Sequence, residues 1–136
     1  MDDLLKVIKE SDAIIRPANQ EDIENLKKEL GFNLSGEYEK YLSTCGVIIY
    51  ESWETYGLGV NDNSYLNVFN AYKDLSSDSE YPDDAVPLVE IGDGSYYLYD
   101  NASEMVLLWS TPNGGVVRTL HENLESFFIK FIFNQD

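Results

Sequence analysis

Apolar positions recur with helical spacing at both ends of this chain and cluster in strand-like runs between them. Near the start, Leu4, Leu5 and Ile8 fall at 0, +1 and +4, which predicts a short amphipathic helix ending near Ser11-Asp12. Pro17 then breaks the chain. Ile23, Leu26 and Leu30 share the face of a second helix. Asn19 is placed to cap it, Glu21 and Asp22 suit its positive end, and Gly31 marks its stop. Ser35 caps a third helix, in which Tyr38, Tyr41, Leu42 and Cys45 form one stripe and Gly46 closes the element. Two helices joined by so short a link pack as a hairpin, which needs a sheet or a further helix to cover it.

From Val47 to Thr119 the pattern changes to β-branched and aromatic runs punctuated by Gly, Asn, Asp, Ser and Pro. The predicted strands are Val47–Tyr50, Thr55–Leu58, Leu66–Phe69, Val86–Ile91, Tyr96–Tyr99, Met105–Trp109 and Val116–Arg118. Gly92-Asp93-Gly94 and Asn113-Gly114-Gly115 read as hairpin turns. Residues 71–84 read as a short helix or a surface loop. At the end, Thr119 and Glu122 have capping-box spacing. Leu124, Phe127, Phe128, Phe131 and Ile132 follow on one helical face, which predicts a helix buried against the sheet. The expected fold is therefore α+β: a single domain over 1–136, with a largely antiparallel sheet flanked by an N-terminal helical hairpin and a C-terminal helix.

Composition narrows the function. The 136 residues include 18 aromatics, which argues against disorder despite a formal net charge of -16. One cysteine, Cys45, excludes an intrachain disulfide, and one histidine, His121, excludes any two-histidine mechanism. No run approaches the ~18 apolar residues that span a bilayer, and the N-terminus is acidic where a signal peptide needs positive charge. The expectation is a cytoplasmic domain. The acids are unevenly spread: residues 41–117 hold twelve against the single base Lys73, and no Lys or Arg occurs from Asp74 to Val117. Such a field repels nucleic acid and anionic membranes and attracts basic partners, although acids also simply keep proteins dispersed.

Candidate chemistry is sparse. Cys45 lies on an apolar stripe and reads as a small buried hydrophobe, and His121 as a surface or cap-adjacent residue. The adjacent carboxylates Asp2-Asp3, Glu21-Asp22 and Asp83-Asp84 arise readily by chance in so acidic a chain. Around Asn61-Asp62-Asn63 the closing glutamate of a calcium loop is absent, and no glycine-rich phosphate cradle leads into a helix. No cofactor or metal is expected. Trp109 ends an apolar run and reads as core. Trp53, framed by Glu51 and Glu54, reads equally as a binding anchor or as a partly buried ring.

The order of motifs resembles a known family. The segment Asn19–Gly46, NQEDIENLKKELGFNLSGEYEKYLSTCG, resembles the opening helices of the SUKH superfamily, bacterial immunity proteins related to fungal cell-wall-synthesis regulators. Ile23, Leu26 and Leu30 match its first helix; Leu34, Tyr38, Tyr41-Leu42 and Gly46 match its second. Tyr56-Gly57-Leu58 resembles its following strand, and Val86-Pro87-Leu88, Ile91-Gly92-Asp93-Gly94 and Tyr97-Leu98-Tyr99-Asp100 resemble its hairpin. Leu124–Phe131 resembles its closing helix. The likeness covers residues 19–133. Ser35 stands where the family often has Pro, and Cys45 where it often has Asn.

The resemblance implies binding without catalysis: an immunity protein that neutralises a cognate toxin by direct occlusion. Many such toxins are nucleases, whose basic clefts an acidic protein could fill. The expected partner is thus a basic protein toxin, not nucleic acid or a membrane, with the oligomeric state open. The contact residues expected from charge and exposure are Glu51, Trp53, Glu54, Asp78, Glu80, Asp83 and Asp84. The fungal relatives keep a second reading open, a non-catalytic scaffold or regulator of cell-wall synthesis. A hydrolase using paired carboxylates would need a cleft that nothing in the sequence supports.

Overall fold

In a computed structural model of the chain, which describes residues 1–111 and 115–135, the helices form where their caps dictate. Helix α1 (Asp2–Ser11) ends at Asp12 in the left-handed region and buries Leu4, Val7 and Ile8. Its first turn is capped from afar, because the Glu125 carboxylate accepts the Leu4 N–H at 3.0 Å. Strand β1 (Ile14–Ile15) follows. Helix α2 (Gln20–Leu30) starts at Asn19, whose side chain accepts the Asp22 N–H at 2.8 Å, and stops at Gly31 with φ 78°. Helix α3 (Gly36–Thr44) starts at Ser35, which accepts the Tyr38 N–H. Each such cap contributes about 1 kcal/mol. Lys27 lies 3.0 Å from Glu39 and ties α2 to α3.

The next stretch departs from the expected strands. Strands β2 (Ile48–Tyr50) and β3 (Trp53–Glu54) pair with β1 in a three-stranded antiparallel sheet, ordered β1-β2-β3. Residues 55–58, expected as a strand, instead thread between other elements. Tyr56 donates its N–H to the Leu88 carbonyl, Leu58 to the Gly46 carbonyl, and Gly57 makes one parallel bridge with Asn67. The crossing is so close that a Cβ on Gly57 would overlap the Gly46 carbonyl oxygen. Leu66–Phe69, also expected as a strand, enters helix α4 (Val68–Leu75). Asn67 explains the change, since its side chain accepts both the Phe69 and Asn70 N–H groups.

Four strands form the second sheet, ordered β4-β5-β6-β7 and wholly antiparallel: β4 (Ala85–Gly92), β5 (Ser95–Asp100), β6 (Met105–Ser110) and β7 (Gly115–Leu120). The fold is thus single-domain α+β as expected, but with two sheets rather than one. Gly92 faces Ser95, so Asp93-Gly94 is a two-residue turn with φ 54° and 76°, the positive pair such hairpins need. The other expected turn rests on Asn113 and Gly114, which lie outside the described residues; β6 and β7 pair on either side of it, Ser110 facing Gly115. Helix α5 (Leu124–Phe131) starts at Asn123, which accepts the Ser126 N–H. The expected Thr119–Glu122 capping box does not form, because Thr119 is committed to β7, opposite Leu107.

The four-stranded sheet carries apolar residues on both faces. Its inner face aligns Val86, Tyr99, Val106 and Leu120 across the strands and packs on Tyr38, Tyr41, Phe127 and Phe128 of α3 and α5. Its outer face aligns Leu98 with Leu107 and Tyr96 with Trp109, and packs under Tyr72, Leu75 and Tyr81. Extra residues at Leu88, Ile91 and Val117 bulge the two outer strands. The β4 edge is partly closed by the Tyr56–Leu88 hydrogen bond. The β7 edge carries a bulge and Arg118, both of which discourage further strand pairing. Among the described residues, no helix is long and apolar enough to cross a membrane.

Candidate partner-binding face

The β2–β3 hairpin turns at Glu51-Ser52, with Tyr50 facing Trp53 and Glu51 held at φ 54°. A non-glycine residue in that region costs of order 1 kcal/mol. The turn leaves Glu51 exposed and aims Trp53 at the end of α5, where its ring lies 4.7 Å from that of Phe131. Phe131 in turn packs on Tyr97 and Phe127. Trp53 is therefore a half-buried ring anchored to the core, with one side open to solvent. Of the two readings of this residue, the partly buried ring is the one observed.

Glu54 follows Trp53, and its carboxylate accepts the hydroxyl of Tyr65. Tyr65 comes from the loop before α4 and is 68% exposed, the most exposed large apolar side chain among the described residues. Trp53, Glu54, Tyr56, Tyr65, Leu66 and Glu90 together line one cavity of about 240 Å³. Burial pushes the half-buried Tyr56 hydroxyl well above its usual range, and Tyr96 and the carboxylates of Glu90, Asp74 and Glu54 push it further. The Tyr96 hydroxyl is raised by burial and by Glu90 and Asp74. Glu54 and Glu90, from β3 and β4, therefore share one aromatic cavity, and Asp74 of α4 adds its negative charge to the field at Tyr56 and Tyr96.

The seven expected contact residues separate into two groups. Trp53 and Glu54 lie at this surface, and Glu51 lies beside it, on the hairpin turn toward the end of α5. Asp78, Glu80, Asp83 and Asp84 lie on the α4–β4 connection, which straps the outer face of the sheet. There Asp78 accepts the Glu80 N–H, the Glu80 carbonyl accepts the Trp109 indole N–H at 3.3 Å, and the Asp84 carbonyl accepts from Asn101. The strap is held mainly through its backbone, which leaves the Glu80 and Asp83 side chains exposed. Sequence reasoning missed Tyr56, Tyr65, Asp74, Glu90 and Tyr96. Glu90 carried a readable signal, as the one charge inside the apolar run 85–91; Tyr65 carried a weaker one, as a lone aromatic in a polar loop.

The other titratable groups offer little chemistry. Burial pushes the Cys45 thiol up to about 12, so it is protonated and inert at neutral pH. His121 is exposed and lies two residues before the cap of α5. Among the described residues, no group of three His, Cys, Asp or Glu side chains is placed to hold a metal ion.

A family model described as SMI1-KNR4 cell-wall, SUKH_5, matches residues 1–133. The chain belongs to this SUKH family. A crystal structure of a protein from Pseudomonas syringae pv. tomato has the same fold, with a TM-score of 0.78 over 96% of this chain and 97% of that one, at 16% identity. At that identity the likeness speaks for the fold alone. No curated protein matches the chain. Within the SUKH frame, the two unusual residues both have structural work. Ser35 caps α3, meets the Tyr99 hydroxyl at 2.7 Å and donates its N–H to Asn101, which proline could not do. Cys45 is fully buried behind α3.

Proposed function

We propose that this SUKH protein is a non-catalytic immunity protein that binds a cognate, basic toxin in the bacterial cytoplasm and blocks it by occlusion. The carrying observation is the cavity that sets the carboxylates of Glu54 and Glu90 beside the rings of Trp53, Tyr56 and Tyr65, with the charge of Asp74 also acting on Tyr56. Aromatic anchors supply most of the binding energy at protein interfaces, and surrounding acids speed association with a basic partner. Glu51 extends the face, and Asp78, Glu80, Asp83 and Asp84 add long-range attraction from the strap. The same negative field disfavours nucleic acid and anionic membranes as partners.

The test is charge reversal in two sets. Glu54, Asp74 and Glu90 are changed to Lys in one variant, and Asp78, Glu80, Asp83 and Asp84 in another. The first set is expected to abolish toxin binding and growth rescue; the second is expected mainly to slow association and flatten its salt dependence. Unchanged affinity and salt dependence in both would reject the acidic-face reading. The family description, with its reference to the cell wall, favours a second reading as a scaffold or regulator of wall synthesis. Association with wall-synthesis proteins in cells lacking any toxin would support it.

A further inference from the structure

The cavity beside the β2–β3 hairpin has a composition that selects one kind of side chain. Its walls are aromatic and aliphatic: Trp53, Tyr56, Tyr65 and Leu66. Such walls alone would suit any apolar group. The polar groups at the cavity include two carboxylates, Glu54 and Glu90, and among the described residues no base lines it. Asp74 adds a third negative charge acting on the same Tyr56. We propose that this groove is a receptor for a single arginine side chain presented by the partner protein. The inference rests on the function proposed above and names the chemistry that this face recognises.

Arginine fits for three physical reasons. A guanidinium is planar and stacks on aromatic faces, whose ring quadrupole attracts a cation. It is weakly hydrated, so entering an aromatic groove costs less than it does for an ammonium. Its fork of N–H donors can serve a carboxylate on one edge while the ring contact is kept. Lysine offers only a compact, strongly hydrated charge. An apolar side chain would take water from Glu90, and from Glu54 beyond its one hydroxyl bond, without supplying a compensating cation, which is unfavourable. The hydroxyl bond from Tyr65 to Glu54 holds one wall in place before the ligand arrives. Trp53 is likewise fixed by its packing on Phe131. A preformed receptor loses less freedom on binding.

The test uses the full chain and three capped tripeptides that differ only at the middle residue: arginine, lysine or citrulline. Binding is followed by NMR through the indole N–H signal of Trp53, assigned with Trp53→Phe; Trp109 is buried and serves as an internal reference. The arginine peptide is expected to shift the Trp53 signal in a saturable way, with citrulline at least about tenfold weaker and lysine between them. Glu54→Gln with Glu90→Gln should remove the difference between arginine and citrulline while leaving the Trp109 signal in place. Equal binding of arginine and citrulline, no saturable shift with arginine, or an arginine preference that survives both Gln changes would overturn the proposal. The outcomes also separate it from the proposed function. Arginine selectivity in a chain whose double Gln variant still rescues growth would leave the receptor standing and remove it from toxin recognition. Rescue lost in that variant without any arginine selectivity in the parent would do the reverse.

Discussion

The two faces of the four-stranded sheet are both apolar, yet they end differently. The inner face lies under α3 and α5, and its partners Tyr38, Tyr41, Phe127 and Phe128 are almost wholly buried. The outer face lies under one eight-residue helix and a strap, which reach Leu98, Leu107 and Trp109 but leave Tyr96 half-open, and Glu90 and Val116 exposed. Full cover yields stability and nothing else. Partial cover leaves rings and charges of the same sheet at the surface, and the candidate binding face starts there. The comparison teaches that the candidate binding face is built from what the fold leaves unburied along one margin of a sheet, around one small cavity.

The largest expected effect tests the inner face. Phe128, whose ring lies 4.8 Å from that of Tyr41, is fully buried, so Phe128→Ala should cost about 4 kcal/mol in urea unfolding. A cost near that of a surface change would break the comparison. Raising the pH probes the same interior. The Cys45 thiol goes from an ordinary 9.0 to about 12 in the fold, chiefly by burial, and Tyr38 and Tyr41 are raised too. A raised acid stays neutral in the folded state while the unfolded chain ionises. Stability is therefore full below pH 9 and is lost as the pH rises from 9 towards 12. Cys45→Ala should lose less stability than the parent over that window, measured by unfolding at each pH.

A smaller effect is expected on the outer face. Trp109→Phe keeps most of the packing but leaves the Glu80 carbonyl without its indole donor, at a cost of about 1–2 kcal/mol. Equality with Phe128→Ala would mean that the strap covers its face as fully as the helices cover theirs. The smallest effect sharpens the contrast from the other side. Glu90→Gln is exposed and should change stability by less than ~0.5 kcal/mol, while weakening association with a basic partner in low salt.

Much of the fold is legible in local sequence, because the forces concerned act within a turn or two. Asn19 and Ser35 cap their helices wherever those helices go, and Gly31 and Asp93-Gly94 supply the positive φ their turns need. The misreadings share a cause. Leu66–Phe69 has the β-branched and aromatic look of a strand, yet Asn67 captures two backbone N–H groups and starts a helix. Thr119 has a capping partner at the right spacing, but the ladder opposite Leu107 claims it first. Of the candidate face, only Trp53 and Glu54 are readable together, since they are adjacent. Tyr65, Asp74, Glu90 and Tyr96 come from four other segments.

What the chain determines alone is its helices other than α4, its main hairpin, its acidity and its family membership, all written in neighbouring residues or in overall composition. What tertiary structure decides is adjacency. Glu125 caps a helix at the opposite end of the chain, Tyr56 reaches the edge of β4 through a gap that only glycine leaves open, and Glu54 and Glu90 from two separate sheets line one aromatic cavity. Local rules cannot supply these meetings, because each depends on where bulges and crossings bring separated backbone segments within contact distance.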